Sequence, residues 1–222
     1  IHNSVFLFHP CCSGLSVIII VCGNWNTLCL PFDVEDFEGT LFADATVKTL
    51  NDATFQDGTL TLEFSGNLTS MEAGRPYIVK WDGDGSNNLV NPTFSGVYIN
   101  AHPDNLIHYY GPVTFVGTYA PVQIPSTGDD TKLFLGANST LYWPNGAMTI
   151  GCQRAYFQLN GITAGDPVND VRAFVLNFGD GEEASGITTT NFTNDTNSSD
   201  AWFDMSGRQL NGIPSRAGIS LN

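Results

Sequence analysis

Acidic side chains cluster after an apolar run in the C-terminal third of the chain. Asp180, Glu182 and Glu183 follow the run that ends at Phe178. Two carboxylates can hydrolyse a glycosidic bond when they lie about 5–9 Å apart across it. Proximity in sequence does not establish such a pair, and Asp-Gly at a strand end is typical of a turn. We interpret the cluster as solvated loop carboxylates, with cation binding as a weaker alternative and glycoside hydrolysis as the weakest.

A second acidic loop has oxygen-bearing side chains at alternating positions, as calcium-binding loops do. Its sequence is Asp82-Gly83-Asp84-Gly85-Ser86-Asn87-Asn88. The EF-hand template requires Gly at the sixth position and Glu at the twelfth. Asn87 and Thr93 occupy those positions here. We therefore interpret the segment as a hairpin loop rather than a calcium site.

Two histidines, His102 and His108, lie on either side of a Pro103-Asp104 turn. Their spacing matches no standard metal-binding template, so we interpret them as exposed loop residues. The chain also lacks the Gly-x-Ser-x-Gly, His-Glu-x-x-His, P-loop and Gly-x-Gly-x-x-Gly motifs. The sequence predicts no catalytic residue, no metal and no cofactor.

Aromatic residues near turns are candidates for contacting a ligand. Trp81 and Trp143 adjoin turn residues, where sugar-binding sandwiches often expose aromatic rings. Packing in a core is the preferred interpretation for each tryptophan, and a sugar-stacking surface is the alternative. The candidate ligand residues are Trp81, Tyr109, Tyr110 and Trp143.

Composition limits the class of protein and its partners. The 222 residues suffice for one all-β domain, or for one domain with a small appendage. Asp and Glu number 22 against 8 Lys and Arg, which gives a formal net charge of −14. Such a field repels phosphate backbones, so nucleic acid is not an expected partner. Only 14% of residues are charged, a composition common in secreted β proteins.

The five cysteines form no Cys-x-x-Cys pair, which argues against a zinc site. Three of them fall within the first 22 residues, and only Cys29 and Cys152 lie in the body of the chain. A Cys29–Cys152 disulfide would require those two strands to adjoin. Two unpaired, partly buried thiols are the preferred interpretation.

The segment from Trp25 to Val34 is predicted to be the first secure strand. Leu28, Leu30, Phe32 and Val34 alternate with Cys29 and other residues, so one face is apolar. We expect that face in the core and Cys29 on the other face. Pro31 cannot donate a ladder hydrogen bond, which favours an edge, a bulge or a strand end.

Short alternating runs separated by turn residues continue along the chain. Asp57-Gly58 between two such runs predicts a hairpin, with Leu60, Leu62 and Phe64 facing inward. Residues 71–74 and 147–151 could each form one helical turn. The pattern predicts an all-β fold, an antiparallel β-sandwich of jelly-roll-like type, with a flexible linker and a short C-terminal β tail. Further strands are expected at 46–50, 53–55, 77–81, 94–99, 113–119, 132–135, 140–143, 155–159 and 173–178.

The two ends of the chain differ from its middle. Residues 1–22 form an atypical apolar segment, which we interpret as a strand at Val17–Val21 or as sequence foreign to the domain, with 1–14 unassigned. The sandwich module is expected over 23–187. Residues 188–200 are rich in Thr, Asn, Ser and Asp and predict a flexible linker. Residues 201–222 then carry two short strands.

Several stretches occur together in a combination that is specific. They are Gly23-Asn24-Trp25 through Val34, Glu72 through Trp81, Arg154 through Leu159, and Val171 through Gly181. In combination they resemble a C-terminal β module of large secreted or surface multidomain proteins of gut Gram-negative anaerobes. The segment from Trp202 to Leu221 is similar to type IX secretion sorting tails, although Ser220 replaces their Tyr and the final basic strand is lacking.

This resemblance implies a non-catalytic structural or adhesive accessory module of a secreted or cell-surface protein. The expected partners are other domains of the same polypeptide, glycans or surface proteins, and the secretion machinery through the truncated sorting-like tail at 201–222. A carbohydrate-binding module that uses loop aromatics is the alternative. A glycoside hydrolase is the least favoured interpretation.

Overall fold

A computed structural model describes residues 5–7, 19–83, 88–90, 92–136, 139–164, 170–179, 183–186, 202–203 and 209–210. The chain divides into two compact units, Ile1–Thr189 and Thr190–Asn222. The described residues form strands, turns and loops and contain no α-helix. The predicted all-β, sandwich-like fold class is therefore confirmed.

The first unit contains twenty described strands. In chain order they are β1 (Val5–Leu7), β2 (Ile19–Ile20), β3 (Asn26–Leu28), β4 (Ala45–Lys48), β5 (Leu50–Gln56), β6 (Thr59–Phe64), β7 (Tyr77–Trp81), β8 (Leu89–Val90), β9 (Thr93–Ser95), β10 (Ile107–Tyr110), β11 (Val113–Thr118), β12 (Val122–Ile124), β13 (Lys132–Leu135), β14 (Leu141–Tyr142), β15 (Met148–Ile150), β16 (Arg154–Leu159), β17 (Thr163–Ala164), β18 (Asp170–Val171), β19 (Ala173–Asn177) and β20 (Glu183–Gly186).

Two sheets enclose the main hydrophobic core. One has five strands in the order β10-β11-β16-β13-β14, and the other has four in the order β20-β19-β6-β5. Both sheets contribute side chains to a single buried cluster, which we call the sandwich core. Phe157 of β16 stacks on Phe115 of β11 with ring centres 4.5 Å apart, and meets Phe64 of β6 edge-on at 6.4 Å. Aromatic contacts thus join the two layers.

The β5–β6 hairpin forms where Asp57-Gly58 predicts it. Leu60, Leu62 and Phe64 are buried in the sandwich core, as expected. β5 is longer than expected, because it continues through 51–52 with a register irregularity between Leu50 and Asp52. β19 pairs with β6 in parallel, which departs from the purely antiparallel pairing of the expected sandwich.

A third sheet, in the order β3-β7-β4, separates the sandwich core from a second cluster. Leu28, Leu30, Phe32 and Val34 all lie in this second core, so the predicted apolar face of the Trp25–Val34 segment is confirmed. The strand itself is shorter than predicted and ends at Leu28. Cys29 faces the other way, and its Sγ donates a hydrogen bond to the Gly74 carbonyl at 3.2 Å.

Some short segments differ from their predicted structure. Residues 148–150 form β15, which pairs with β12, so the helical turn expected at 147–151 is wrong. Met71 forms a bridge with Val34 where a helical turn was expected at 71–74. The run 101–110, interpreted as a loop, ends in strand β10. Met71 and β15 obtain their hydrogen bonds from partners distant in sequence, which local patterning does not reveal, whereas β10 forms a hairpin with the adjacent strand β11.

The two termini are described only in part. β1 pairs with β9 and β2 pairs with β8, while Ile20 and Cys22 are buried in the second core. The second core therefore includes side chains from the apolar segment 1–22. The linker predicted at 188–200 lies outside the described residues. In the second unit β21 (Trp202–Phe203) pairs with β22 (Gln209–Leu210), and the strand predicted at 218–221 also lies outside them.

Replacement of Gly58 by Ala should lower the free energy of unfolding by about 1–2 kcal/mol, because the turn holds φ at 81° and a Cβ is disfavoured there. Gly66→Ala is the matched control, since a Cβ at Gly66 meets no atom within 4 Å. We expect the control to stay within about 0.5 kcal/mol of the wild type in urea unfolding. Equal destabilisation by the two variants would contradict the turn assignment.

Candidate functional site

The five-stranded sheet has one face on the sandwich core and another that points away from it. Because side chains alternate along a strand, the residues between the core positions share this second face, which we call the outer face. Its residues are Ile107 and Tyr109 of β10, Thr114 and Val116 of β11, Arg154, Tyr156 and Gln158 of β16, Lys132 and Phe134 of β13, and Tyr142 of β14.

Strand register arranges the outer face in rows. Tyr109 lies opposite Thr114, Thr114 opposite Gln158, and Gln158 opposite Lys132. A second row runs from Ile107 through Val116 to Tyr156. Directly opposed side chains have Cβ atoms about 4.5–5.5 Å apart. Aromatic, aliphatic and amide groups are therefore neighbours on the outer face, although Thr114 itself is only 4% exposed.

Aromatic contacts and one ion pair order the centre of the outer face. The rings of Phe134 and Tyr142 stack with centres 5.8 Å apart. The Lys132 Nζ lies 5.9 Å from the centre of the Tyr156 ring and donates to Asp129 Oδ2 at 2.6 Å. Burial acts to raise the pKa of Asp129, but hydrogen bonds from Lys132 and Thr131 outweigh it and hold that pKa below its usual value. The Lys132 charge is thus locally balanced.

The polar groups of the outer face are positioned by their own hydrogen bonds. Gln158 Nε2 donates to the Thr131 carbonyl at 2.9 Å and lies 3.0 Å from its hydroxyl. Asn160 Nδ2 donates to the Thr114 hydroxyl at 2.9 Å. These bonds fix the amides and hydroxyls in place, which reduces the entropy lost when a ligand binds.

A cavity of about 450 Å³ lies at one end of the outer face. That volume is within the range of small-molecule binding sites. Two outer-face residues, Phe134 and Arg154, form part of its wall. The other lining residues are Val21, Asn24, Trp25, Asn26, Thr27, Leu135, Gly136, Met148, Thr149, Ile150 and Ala155. None of the described lining residues is Asp, Glu, His or Cys.

Two side chains of the cavity wall are held firmly. Trp25 stacks on Phe178 with ring centres 4.7 Å apart, and its backbone N–H donates to the Ser139 hydroxyl at 3.0 Å. Arg154 Nη1 donates to the Thr27 carbonyl at 3.2 Å, and burial lowers the pKa of the guanidinium. Aromatic rings, amides, hydroxyls and a guanidinium thus surround the cavity, so it can bind a ligand that combines apolar faces with hydroxyl groups.

The four candidate ligand residues do not come together. Tyr109 is 75% exposed and lies on the outer face. Tyr110 points to the opposite side of β10 and packs against the sandwich core, as does the half-buried Trp143. Trp81 is only 6% exposed; its Nε1 donates to the Leu41 carbonyl at 2.9 Å. Trp81 is a residue of the second core, and its buried ring is not available for stacking on a sugar.

Sequence reasoning missed most of the outer face. Strand β16 alternates buried Ala155, Phe157 and Leu159 with partly exposed residues, so its pattern already indicates that Tyr156 and Gln158 face outward. Phe134 and Tyr142 could not be assigned in this way. Their strands are short, and only the pairing of β13 with β14 places their rings together.

The acidic and histidine motifs contribute little to a described site. Asp84 and the segment 180–182 lie outside the described residues. His102 is exposed, and His108 Nε2 lies 2.8 Å from the Asn105 carbonyl oxygen. The described residues contain no group of three or more His, Cys, Asp or Glu that could hold a metal ion.

Of the described cysteines, Cys29 and Cys152 are free thiols, and both are buried, as is Cys22. The interpretation of Cys29 and Cys152 as unpaired thiols is therefore confirmed. Burial raises the pKa of Cys29 to about 12, and a hydrogen bond with the Thr118 backbone offsets this only in part. Cys29 is accordingly not a nucleophile at neutral pH, since a thiol reacts as its thiolate.

Comparisons of the chain with models of protein families, with curated proteins and with solved structures find no match. The described part of the chain holds no helix with the length and hydropathy of a membrane-spanning segment.

Alkaline pH should destabilise the fold through Cys29. The unfolded thiol loses its proton near pH 9, whereas the buried thiol keeps its proton until about pH 12. The stability contributed by the buried thiol is complete below pH 9 and falls by up to about 1.4 kcal/mol per pH unit above it. We expect urea unfolding of Cys29→Ala to depend less steeply on pH than wild type between these values. An equally steep pH dependence of the unfolding free energy in the two proteins would contradict the raised pKa of Cys29.

Proposed function

We propose that this chain is a non-catalytic, adhesive accessory module of a secreted or cell-surface protein, and that it adheres by binding carbohydrate. The observation that carries the proposal is the cavity of about 450 Å³, whose wall combines the partly exposed ring of Phe134 with several polar side chains. A sugar ring has apolar C–H faces and a rim of hydroxyl groups. It therefore suits a site that offers a ring to stack on and fixed polar groups around it.

The polar groups of the cavity wall are of the kinds that hydrogen bond to hydroxyl groups. They belong to Asn24, Asn26, Thr27, Thr149 and Arg154. Amides and hydroxyls both donate and accept hydrogen bonds, and a guanidinium donates several in one plane.

A binding role is favoured over catalysis by the chemistry of the described lining. Glycoside hydrolysis needs two carboxyl groups on opposite sides of the bond. The described lining residues offer no carboxyl, imidazole or thiol group. The net charge of −14 also disfavours binding of nucleic acid to the module. Attachment to further domains and export through the C-terminal tail remain predictions from the sequence.

Replacement of Phe134 by Ala should weaken carbohydrate binding about tenfold, equivalent to about 1.4 kcal/mol, because it removes an aromatic ring from the cavity wall. A glycan array identifies a binding oligosaccharide, and isothermal titration calorimetry then measures the affinity of each variant. Thermal unfolding of Phe134→Ala shows whether the variant remains folded.

Tyr98→Ala is the matched control for this experiment. Tyr98 is 89% exposed and is not among the residues that line the cavity. We expect its removal to leave the affinity unchanged. Silence of the wild-type protein on the array, or equal effects of the two variants, would contradict the proposed function. So would turnover of the bound oligosaccharide.

A further inference from the structure

The outer face continues beyond the cavity to the far edge of the five-stranded sheet. From Tyr109 on edge strand β10 to Tyr142 on β14 there are four interstrand spacings, or about 19 Å at about 4.8 Å each. Between these ends lie Gln158 and Lys132, in the same row as Tyr109. We infer that the module binds an extended, neutral polysaccharide chain that crosses the strands from the cavity to Tyr109. The inference rests on the proposed function and specifies its ligand.

Exposed side chains on edge strand β10 support a ligand that extends from the cavity to this edge of the sheet. Tyr109 and Ile107 are 75% and 51% exposed, and both lie on the outer face of β10. Edge strands usually carry charged or otherwise protective side chains, because exposed apolar groups at an edge promote aggregation. Tyr109 and Ile107 instead leave an apolar patch at this edge of the outer face, which a ligand crossing the strands would cover.

The register supports one continuous path rather than two separate sites. Tyr109 and Thr114 are directly opposed, as are Thr114 and Gln158. Lys132 continues the row on β13, the strand that also carries Phe134 at the cavity. Thr114 is only 4% exposed and is hydrogen bonded to Asn160, so it forms the floor of the path. Gln158 and Lys132 supply the hydrogen-bonding groups in the middle, and aromatic rings stand at both ends.

Charge favours a neutral chain over an acidic one. The net charge of −14 repels polyanions at long range. On the path itself the Lys132 ammonium is already balanced by Asp129 at 2.6 Å. Neutral hydroxyl groups suit the amide of Gln158 and the phenol of Tyr109 without adding like charge.

The test uses the full chain and ladders of neutral oligosaccharides, from disaccharide to hexasaccharide, built on glucose, xylose, mannose or galactose. For the sugar that binds, we expect wild-type affinity to rise at least tenfold along the ladder. Tyr109→Ala should remove that rise and leave disaccharide affinity unchanged. Phe134→Ala should weaken every member of the ladder, and Tyr98→Ala should weaken none.

The outcomes separate this inference from the proposed function. Binding that depends on Phe134 but not on chain length or Tyr109 would overturn the inference alone. No binding of any ladder would overturn both. A second copy of the chain is the competing occupant of the β10 edge, so sedimentation is measured in parallel. Self-association that is lost in Tyr109→Ala, without a length-dependent affinity, would also overturn the inference.

Discussion

Burial of strand β7 on both faces is the constraint on which the rest of the first unit depends. Ile78 points into the sandwich core, whereas Tyr77, Val79 and Trp81 point into the second core. The strand is paired on both edges, with β3 on one side and β4 on the other. A shift of one residue would exchange the two faces and place each apolar set in the wrong core. The register of β7 is therefore strongly determined, and the packing of both cores depends on it.

The geometry of the cavity depends on this central strand. β3 is hydrogen bonded to β7 with Asn26 opposite Val79, and the same strand contributes Asn26 and Thr27 to the cavity wall. Arg154 then joins β3 to the five-stranded sheet through the Thr27 carbonyl. On the other side of Trp25 the Lys80 Nζ lies 5.9 Å from the indole ring. The side chains of the cavity are thus fixed by elements whose positions the two cores dictate.

Much of this fold could be predicted from the sequence, because alternation and turn chemistry act locally. The strand at 77–81, the hairpin at Asp57-Gly58 and the apolar face of the Trp25–Val34 segment all follow from period-two patterning. The outer face could not be predicted in the same way. Tyr109, Gln158 and Lys132 come from strands distant in sequence, and only the register makes them neighbours. The burial of Trp81 could not be predicted either, because a tryptophan beside a turn has the same local pattern whether its ring is exposed or buried.

The outer face and the cores place different demands on the sequence. A residue such as Phe157 packs between two layers, so its replacement leaves a void that the surrounding side chains cannot fill. Tyr109 is held by the backbone of β10, and its exposed ring contributes little to packing. Exposed side chains of the outer face such as Tyr109 can therefore vary without loss of the fold, provided that the alternate residues remain apolar. Such a division lets one sandwich carry different binding surfaces, which is the property that the proposed accessory module would require.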